Sequence, residues 1–300
     1  MARILKGKEV ADALTAKMKQ DVEDLKARGI TPTLCIFRVG ERADDMSYEK
    51  GATKRAKSVG IEVRHVVLPM DISQEEFDRE FAAVNADDSI HGILYFRPLP
   101  KQLDGERARQ MLNPDKDIDG CTDISLAGVF TNRKIGFAPC TAQATMEILH
   151  HFGIPVAGKK VAVISRSLIV GRPLGMLLMH ENATVVNCHT GTVDIPSITS
   201  KADILVAAAG RLHIIDKSYT NPDQVVIDVG INWDEAKGGI SGDVIFEDVE
   251  PNVAAITPVP GGVGAVTTCV LIGHVVEAAR RAADHKNITA SPTAYMLRTI

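Results

Sequence analysis

The stretch Lys160-Val161-Ala162-Val163-Ile164-Ser165-Arg166-Ser167-Leu168-Ile169-Val170-Gly171-Arg172-Pro173 reads as a strand, a turn and a helix in succession. Lys160–Ile164 is a short apolar run closed by a polar turn, the pattern of a buried strand. A helix opens near Gly171, with Pro173 in its first turn, where a missing N–H costs nothing. A strand leading this directly into a helix presents free amides and the positive end of a helix dipole, which suits a phosphate. The glycine pattern is weak, because Ser165 and Ser167 stand where a dinucleotide fingerprint shows Gly. The turn alone leaves nucleotide binding and a plain connection both open.

Working outward, further short apolar runs at 184–187, Ile204–Ala207 and 225–229 extend this strand into a series, preceded by a helix after Thr141. The N-terminal half has its own alternation. Val10, Leu14, Met18, Val22 and Leu25 recur at helical spacing up to Gly29. Strands at 34–39, 63–68 and 92–96 are separated by helices at 47–58 and 74–85. Strands alternating with helices imply parallel βαβ units, hence two α/β domains. Periodicity fails between 103 and 138, which reads as the connection, and a last helix is expected at 265–283. The residues after His285 are expected to be loose.

Composition narrows the class. The 300 residues carry a formal charge of −4 from well-mixed acids and bases and are 45% hydrophobic. That is enough for two cores, and no basic patch suggests nucleic acid. The five cysteines (Cys35, Cys121, Cys140, Cys188, Cys269) show no C-x-x-C spacing, and the histidines show no metal-ligand spacing. Reduced thiols in a cytoplasmic protein without a bound metal are expected. No apolar N-terminal signal core is present, and no apolar run reads as long enough to span a bilayer.

The run Thr257-Pro258-Val259-Pro260-Gly261-Gly262-Val263-Gly264 fits no ordinary strand or helix. Its prolines remove donors and its glycines let bare backbone approach a flat ligand, although a tight structural connection would read the same way. Together with Pro114-Asp115-Lys116-Asp117-Ile118-Asp119-Gly120 and the 165–173 turn, it resembles the FolD-type methylenetetrahydrofolate dehydrogenase/cyclohydrolases, from about Ile4 to about Ala283. The resemblance implies an N-terminal α/β folate-binding catalytic domain (1–140 with 265–300) and a Rossmann-like NADP-binding domain (141–264). The C-terminal helix would return to the first domain. It further implies a homodimer and tetrahydrofolate one-carbon derivatives as substrates.

Site residues follow by matching motifs. Asp119 corresponds to the family's pterin-binding carboxylate and Tyr48 to the tyrosine bordering the pterin, both candidates for a catalytic role. Pro260, Gly261 and Gly262 would also meet substrate. Ser165, Arg166, Ser167, Ile169, Val170, Gly171, Arg172, His189, Thr190 and Ile231 would hold the cofactor. The strand ending in Asn187-Cys188-His189-Thr190 has no acid before Asp194, and Arg166 lies in the first turn, which favours NADP over NAD. A turn-capping Asp119, a packed Tyr48, a solvated Arg166 and a plain strand exit before Ile231 remain the structural alternatives.

The resemblance breaks where hydrolysis would be catalysed. The family's Y-x-x-x-K reads Tyr48-Glu49-Lys50-Gly51-Ala52-Thr53-Lys54, so Ala52 stands at the lysine position. Its Q-L-P-L-P reads Phe96-Arg97-Pro98-Leu99-Pro100, so the glutamine partner is Phe96. Lys50 and Lys54 sit about 200° away around the helix. Smaller departures are Ser165, Leu168, Ala142, Ala144 and Ala265-Val266. The resemblance thus implies an NADP-dependent methylenetetrahydrofolate dehydrogenase with weak or absent cyclohydrolase activity. Three alternatives stay open: a bifunctional enzyme with a recruited catalyst such as Arg97 or Lys54, a non-catalytic folate- or nucleotide-binding homologue, and an oxidoreductase on another small substrate.

Overall fold

The computed structural model describes residues 1–290, with side chains to His285. The loose ending expected after His285 therefore concerns residues largely outside that description. The chain forms two compact units, one of residues 1–14 and 124–270, the other of residues 15–123 and 271 onward. The expected boundaries were 140/141 and 264/265. The structure instead groups the first 14 residues and the segment 124–140 with the cofactor-type unit.

That unit is built on a six-stranded sheet in the order Arg3–Ile4, Ala255–Ile256, Val225–Asp228, Ile204–Ala207, Lys160–Ile164, Thr184–Cys188. Every pairing is parallel. Central strands are buried beyond their first residues and Ile204–Ala207 at every residue, as expected where helices cover both faces. Lys160–Ile164 lies between Thr184–Cys188 and Ile204–Ala207, so strand order reverses there, and its carboxyl end is a topological switch point. The two-residue strands at either end of the chain were not expected. Nor was the antiparallel hairpin of Asn232–Asp234 with Gly239–Ser241.

The other unit holds a parallel three-stranded sheet, ordered Glu62–Leu68, Thr33–Val39, Gly92–Tyr95. Phe37 meets Phe77 and Phe81 edge-on, at 5.6 and 5.1 Å between ring centroids, and fixes the helix Gln74–Ala86 over this sheet. Ser73 and Glu76 form a capping box at that helix's start. The supposedly irregular 103–138 segment contains the helices Gly105–Met111 and Asp123–Thr131 and a 3₁₀ turn, Pro114–Lys116. Each is too short to establish a readable period.

The last helix, Val263–Ala290, is longer than expected. Its later part belongs to the second unit, where His274 bonds the Ile118 carbonyl at 2.7 Å and Arg280 pairs with Asp21 at 3.0 Å. Contrary to the sequence expectation, its 263–285 portion is long and apolar enough to cross a membrane, but 56% of its apolar window is buried within the protein. It is a core helix.

Candidate functional site

The expected nucleotide turn sits at the switch point. Ser165 and Val170 are buried, while Arg166, Ser167, Leu168, Ile169 and Arg172 face solvent. Ser167 Oγ accepts from the amides of Val170 (3.1 Å) and Gly171 (3.4 Å), and Ser165 Oγ accepts from the Ser167 amide (3.3 Å). The two serines that weaken the glycine signature thus shape the turn themselves. Gly171 is obligatory: a Cβ there would lie 2.3 Å from the Ser165 carbonyl oxygen. Asn187 was missed. From the neighbouring strand its amide donates to the carbonyls of Ser165 (3.0 Å) and Gly171 (2.9 Å), clamping both ends of the turn.

Ile164 pairs with Cys188, so the turns that follow these strands leave the sheet side by side. Arg166 opens one and His189-Thr190 the other, with Thr190 exposed. His189 accepts from the Gly191 amide at 3.1 Å, so its ring stiffens its own turn. Further along the strand ends, buried Asp243 accepts from the amides of Ala209 (2.6 Å), Gly210 (3.0 Å) and Arg211 (2.9 Å) and from the Asn232 side chain (2.9 Å). Buried Asp228 accepts from Gly230, Asp243 and Val244 amides at 2.9–3.1 Å. Burial nevertheless pushes its carboxyl up to about 7. These two acids, also missed, hold the loop bearing Ile231, which is 64% exposed.

The glycine run rests on the chain's beginning. The Gly7 amide donates to the Gly261 carbonyl at 2.8 Å, and a Cβ on Gly7 would sit 2.0 Å from Gly262 O. Gly261 has φ +104°, a conformation that disfavours any side chain. Pro260 and Gly261 are exposed and Gly262 is buried, so bare backbone is presented from a fixed support.

In the other unit, the Pro114–Gly120 segment is mostly scaffold. Lys116 Nζ donates to the Asn85 and Asp87 carbonyls (2.7 and 2.8 Å), and Asp117 accepts from the Cys121 and Thr122 amides (3.0 and 2.8 Å). Burial lowers the pKa of Lys116 and brings that of His274 down to about 4, so the His274 ring is neutral and donates to Ile118. Asp119 is the segment's half-exposed acid. Its carboxylate accepts from Arg97 Nη2 at 2.9 Å. Burial disfavours the Arg97 charge, but Cys121, Asp119 and Tyr95 outweigh it and raise its pKa. The guanidinium also lies 5.5 Å from the Tyr95 ring centre. Tyr48 meets Phe96 edge-on at 6.0 Å, and Arg97 follows Phe96 in the chain.

Ala52 is fully buried in the helix Ala43–Ser58. Lys50 and Lys54 line an open cavity of about 530 Å³ with Arg38, Met46, Glu49, Thr53 and His65, and none of Tyr48, Phe96 or Asp119 borders it. The Arg97–Asp119 pair was missed: 22 residues of separation and intervening helices leave no local signal.

Comparison with known proteins matches both halves of the chain. Residues 5–119 match the tetrahydrofolate dehydrogenase/cyclohydrolase catalytic domain, and residues 139–283 the NAD(P)-binding domain of the same family. The bifunctional protein FolD of Carboxydothermus hydrogenoformans is 49% identical over 279 residues, covering 93% of this chain and 97% of its own. The crystal structure of the Campylobacter jejuni bifunctional FolD enzyme superposes with a TM-score of 0.90 at 34% identity, over 94% of this chain and 99% of that one. The Trypanosoma brucei dehydrogenase-cyclohydrolase, solved with NADP and an inhibitor, gives 0.86 at 33%, over 94% and 98%.

Proposed function

The chain belongs to the tetrahydrofolate dehydrogenase/cyclohydrolase family, and we propose that it oxidises 5,10-methylenetetrahydrofolate with NADP while hydrolysing the methenyl product weakly or not at all. The observation that carries this reading is the composition of the Tyr48 surface. A buried methyl at Ala52 and a phenyl at Phe96 replace the groups that would position water and move protons. Arg97 is a poor substitute, because a guanidinium whose pKa is raised further does not exchange protons near neutrality. Lys54 lines the other cavity. Arg97 is already paired with a carboxylate of its own chain, so it gives no reason to prefer another, anionic substrate.

Hydride transfer asks less of side chains than hydrolysis does. Bound NADP would supply the hydride acceptor, and the substrate's own nitrogens would stabilise the methenyl cation. The protein has to orient the two rings. The Ser165–Gly171 turn would border the pyrophosphate: Gly171 leaves no room for a Cβ, and Ser167 Oγ draws the Val170 and Gly171 amides together at the helix start. Arg166 and Thr190 would take the 2′-phosphate, with His189 shaping their turn. The 230–232 loop carrying Ile231 and the Pro260–Gly262 backbone would border the nicotinamide and the substrate. Asp119 would accept from the pterin's amino edge, with Tyr48 alongside the ring. A homodimer in the cytoplasm is part of the same proposal, and sedimentation would test the oligomer.

The test is to give purified protein methylenetetrahydrofolate with NADP, then methenyltetrahydrofolate alone. NADP reduction with methenyl decay at the buffer rate is the expected result. Hydrolysis as fast as reduction would identify a bifunctional enzyme with another catalyst. Neither activity would leave a non-catalytic homologue.

A further inference from the structure

Arg97 and Asp119 are both half-exposed, and their charged ends meet at 2.9 Å; Arg97 follows Phe96 in the chain, and the Phe96 ring meets Tyr48. A guanidinium has five donors and a carboxylate about four acceptor positions, and the contact between Arg97 and Asp119 takes one of each. The pair therefore sets an acceptor next to a donor. The face of Tyr95 and the Asp119 carboxylate hold the guanidinium in place, and Asp117, through the Cys121 and Thr122 amides, holds the loop after Asp119.

We propose that Arg97 is a specificity-determining residue, which with Asp119 reads the 2-amino-4-oxo edge of the substrate's pyrimidine ring. Asp119 accepts from the 2-amino group and N3–H, and Arg97 donates to the 4-oxo oxygen. The inference rests on the folate reading above. It is physically economical: a ring carbonyl brought out of water beside the Asp119 carboxylate would otherwise lose its hydration without a replacement donor. It also predicts rejection. A 4-amino ring turns a donor toward the guanidinium, and a mismatched buried polar group discriminates far better than a missing methylene does.

The experiment measures equilibrium binding of tetrahydrofolate and of its 4-amino-4-deoxy analogue to wild type, Arg97→Leu and Arg97→Lys, with thermal unfolding of each. Wild type should prefer the 4-oxo ring. Arg97→Leu should weaken tetrahydrofolate binding by about ten- to a hundredfold and bring the two ligands close to parity. Arg97→Lys, which keeps a donor without the planar fork, should retain part of the preference and serves if the leucine variant unfolds. Tighter tetrahydrofolate binding by Arg97→Leu would show that Arg97 merely covers Asp119 and would overturn the inference. An undiminished preference for the 4-oxo ring in both variants would overturn it too, with the folate reading intact. If wild type bound neither ligand, the folate reading itself would fall, and this inference with it.

Discussion

In the unit that carries the nucleotide turn, the groups expected to meet ligand are mainly backbone, and each stretch is held by a side chain or a glycine contact behind it. Asn187 clamps the Ser165–Gly171 turn, Asp243 gathers the 209–211 amides, and Gly7 supports Gly261 and Gly262. In the other unit the expected ligand groups are side chains, Tyr48 and Asp119, which meet Phe96 and Arg97 respectively. The difference teaches where a family site tolerates change. Ser165 can replace a glycine because the carbonyl and amides stay in place. On the proposed reading, Ala52 and Phe96 would be unable to stand in for an ammonium and an amide, because there the side chain would be the chemistry.

The strongest way to break this contrast is to install the side chains that the proposal takes as missing. Ala52→Lys with Phe96→Gln should raise methenyl hydrolysis by about 10²–10⁴-fold, the usual range for acid–base assistance, as followed by the decay of methenyl absorbance. Ala52→Lys alone should do less and lower the melting temperature, because position 52 is fully buried and the ammonium would lack its partner. A double variant that stays at the buffer rate would mean that more than these two groups has been lost.

On the backbone side, Gly171→Ala forces a methyl to within 2.3 Å of Ser165 O. NADP affinity should fall by about a hundredfold, roughly two to three kcal/mol of lost phosphate contacts, with tetrahydrofolate affinity unchanged in parallel titrations. Unaltered NADP binding would remove the turn from the site.

The scaffold behind Asp119 has its own signature. His274, held near 4 in the folded chain and near 6.5 once unfolded, supplies stability that is present above pH 6.5 and lost as pH falls towards 4. The loss should reach at most about 2 kcal/mol by pH 5, since the residue is not wholly sealed from water. Urea midpoints of His274→Gln should depend less on pH than those of wild type; identical slopes would locate the proton uptake elsewhere.

Two smaller effects sharpen the comparison. Asp119→Asn should weaken tetrahydrofolate binding about tenfold and leave NADP binding alone. Arg166→Ala should raise the NADP KM about fivefold with NAD turnover little changed, because an exposed guanidinium contributes about 1 kcal/mol. Equal losses with both cofactors would make Arg166 a structural residue.

Much of this architecture is legible in the sequence because parallel strands buried on both faces leave apolar runs such as Ile204-Leu205-Val206-Ala207. The Arg3–Ile4 and Ala255–Ile256 strands are not legible: two residues carry no period, and their pairing joins opposite ends of the chain. Motif matching locates Asp119 and the 165–171 turn, but not Asn187, Asp228 or Asp243, whose role is to satisfy amides in other loops. Spacing along the chain is blind to the Arg97–Asp119 pair, since the strand end and the loop meet only through the fold.

Gly7 and the strand before it have a consequence for biosynthesis. They leave the ribosome roughly 250 residues ahead of their partners, Ala255–Ile256 and Gly261. At about 5–20 residues per second, the amino terminus waits roughly ten seconds to a minute before its strand can pair. The glycine run meets its support only once residues 255–261 have been made, so chains stalled before residue 255 should fail to retain on a nucleotide affinity resin however well their earlier strands have formed.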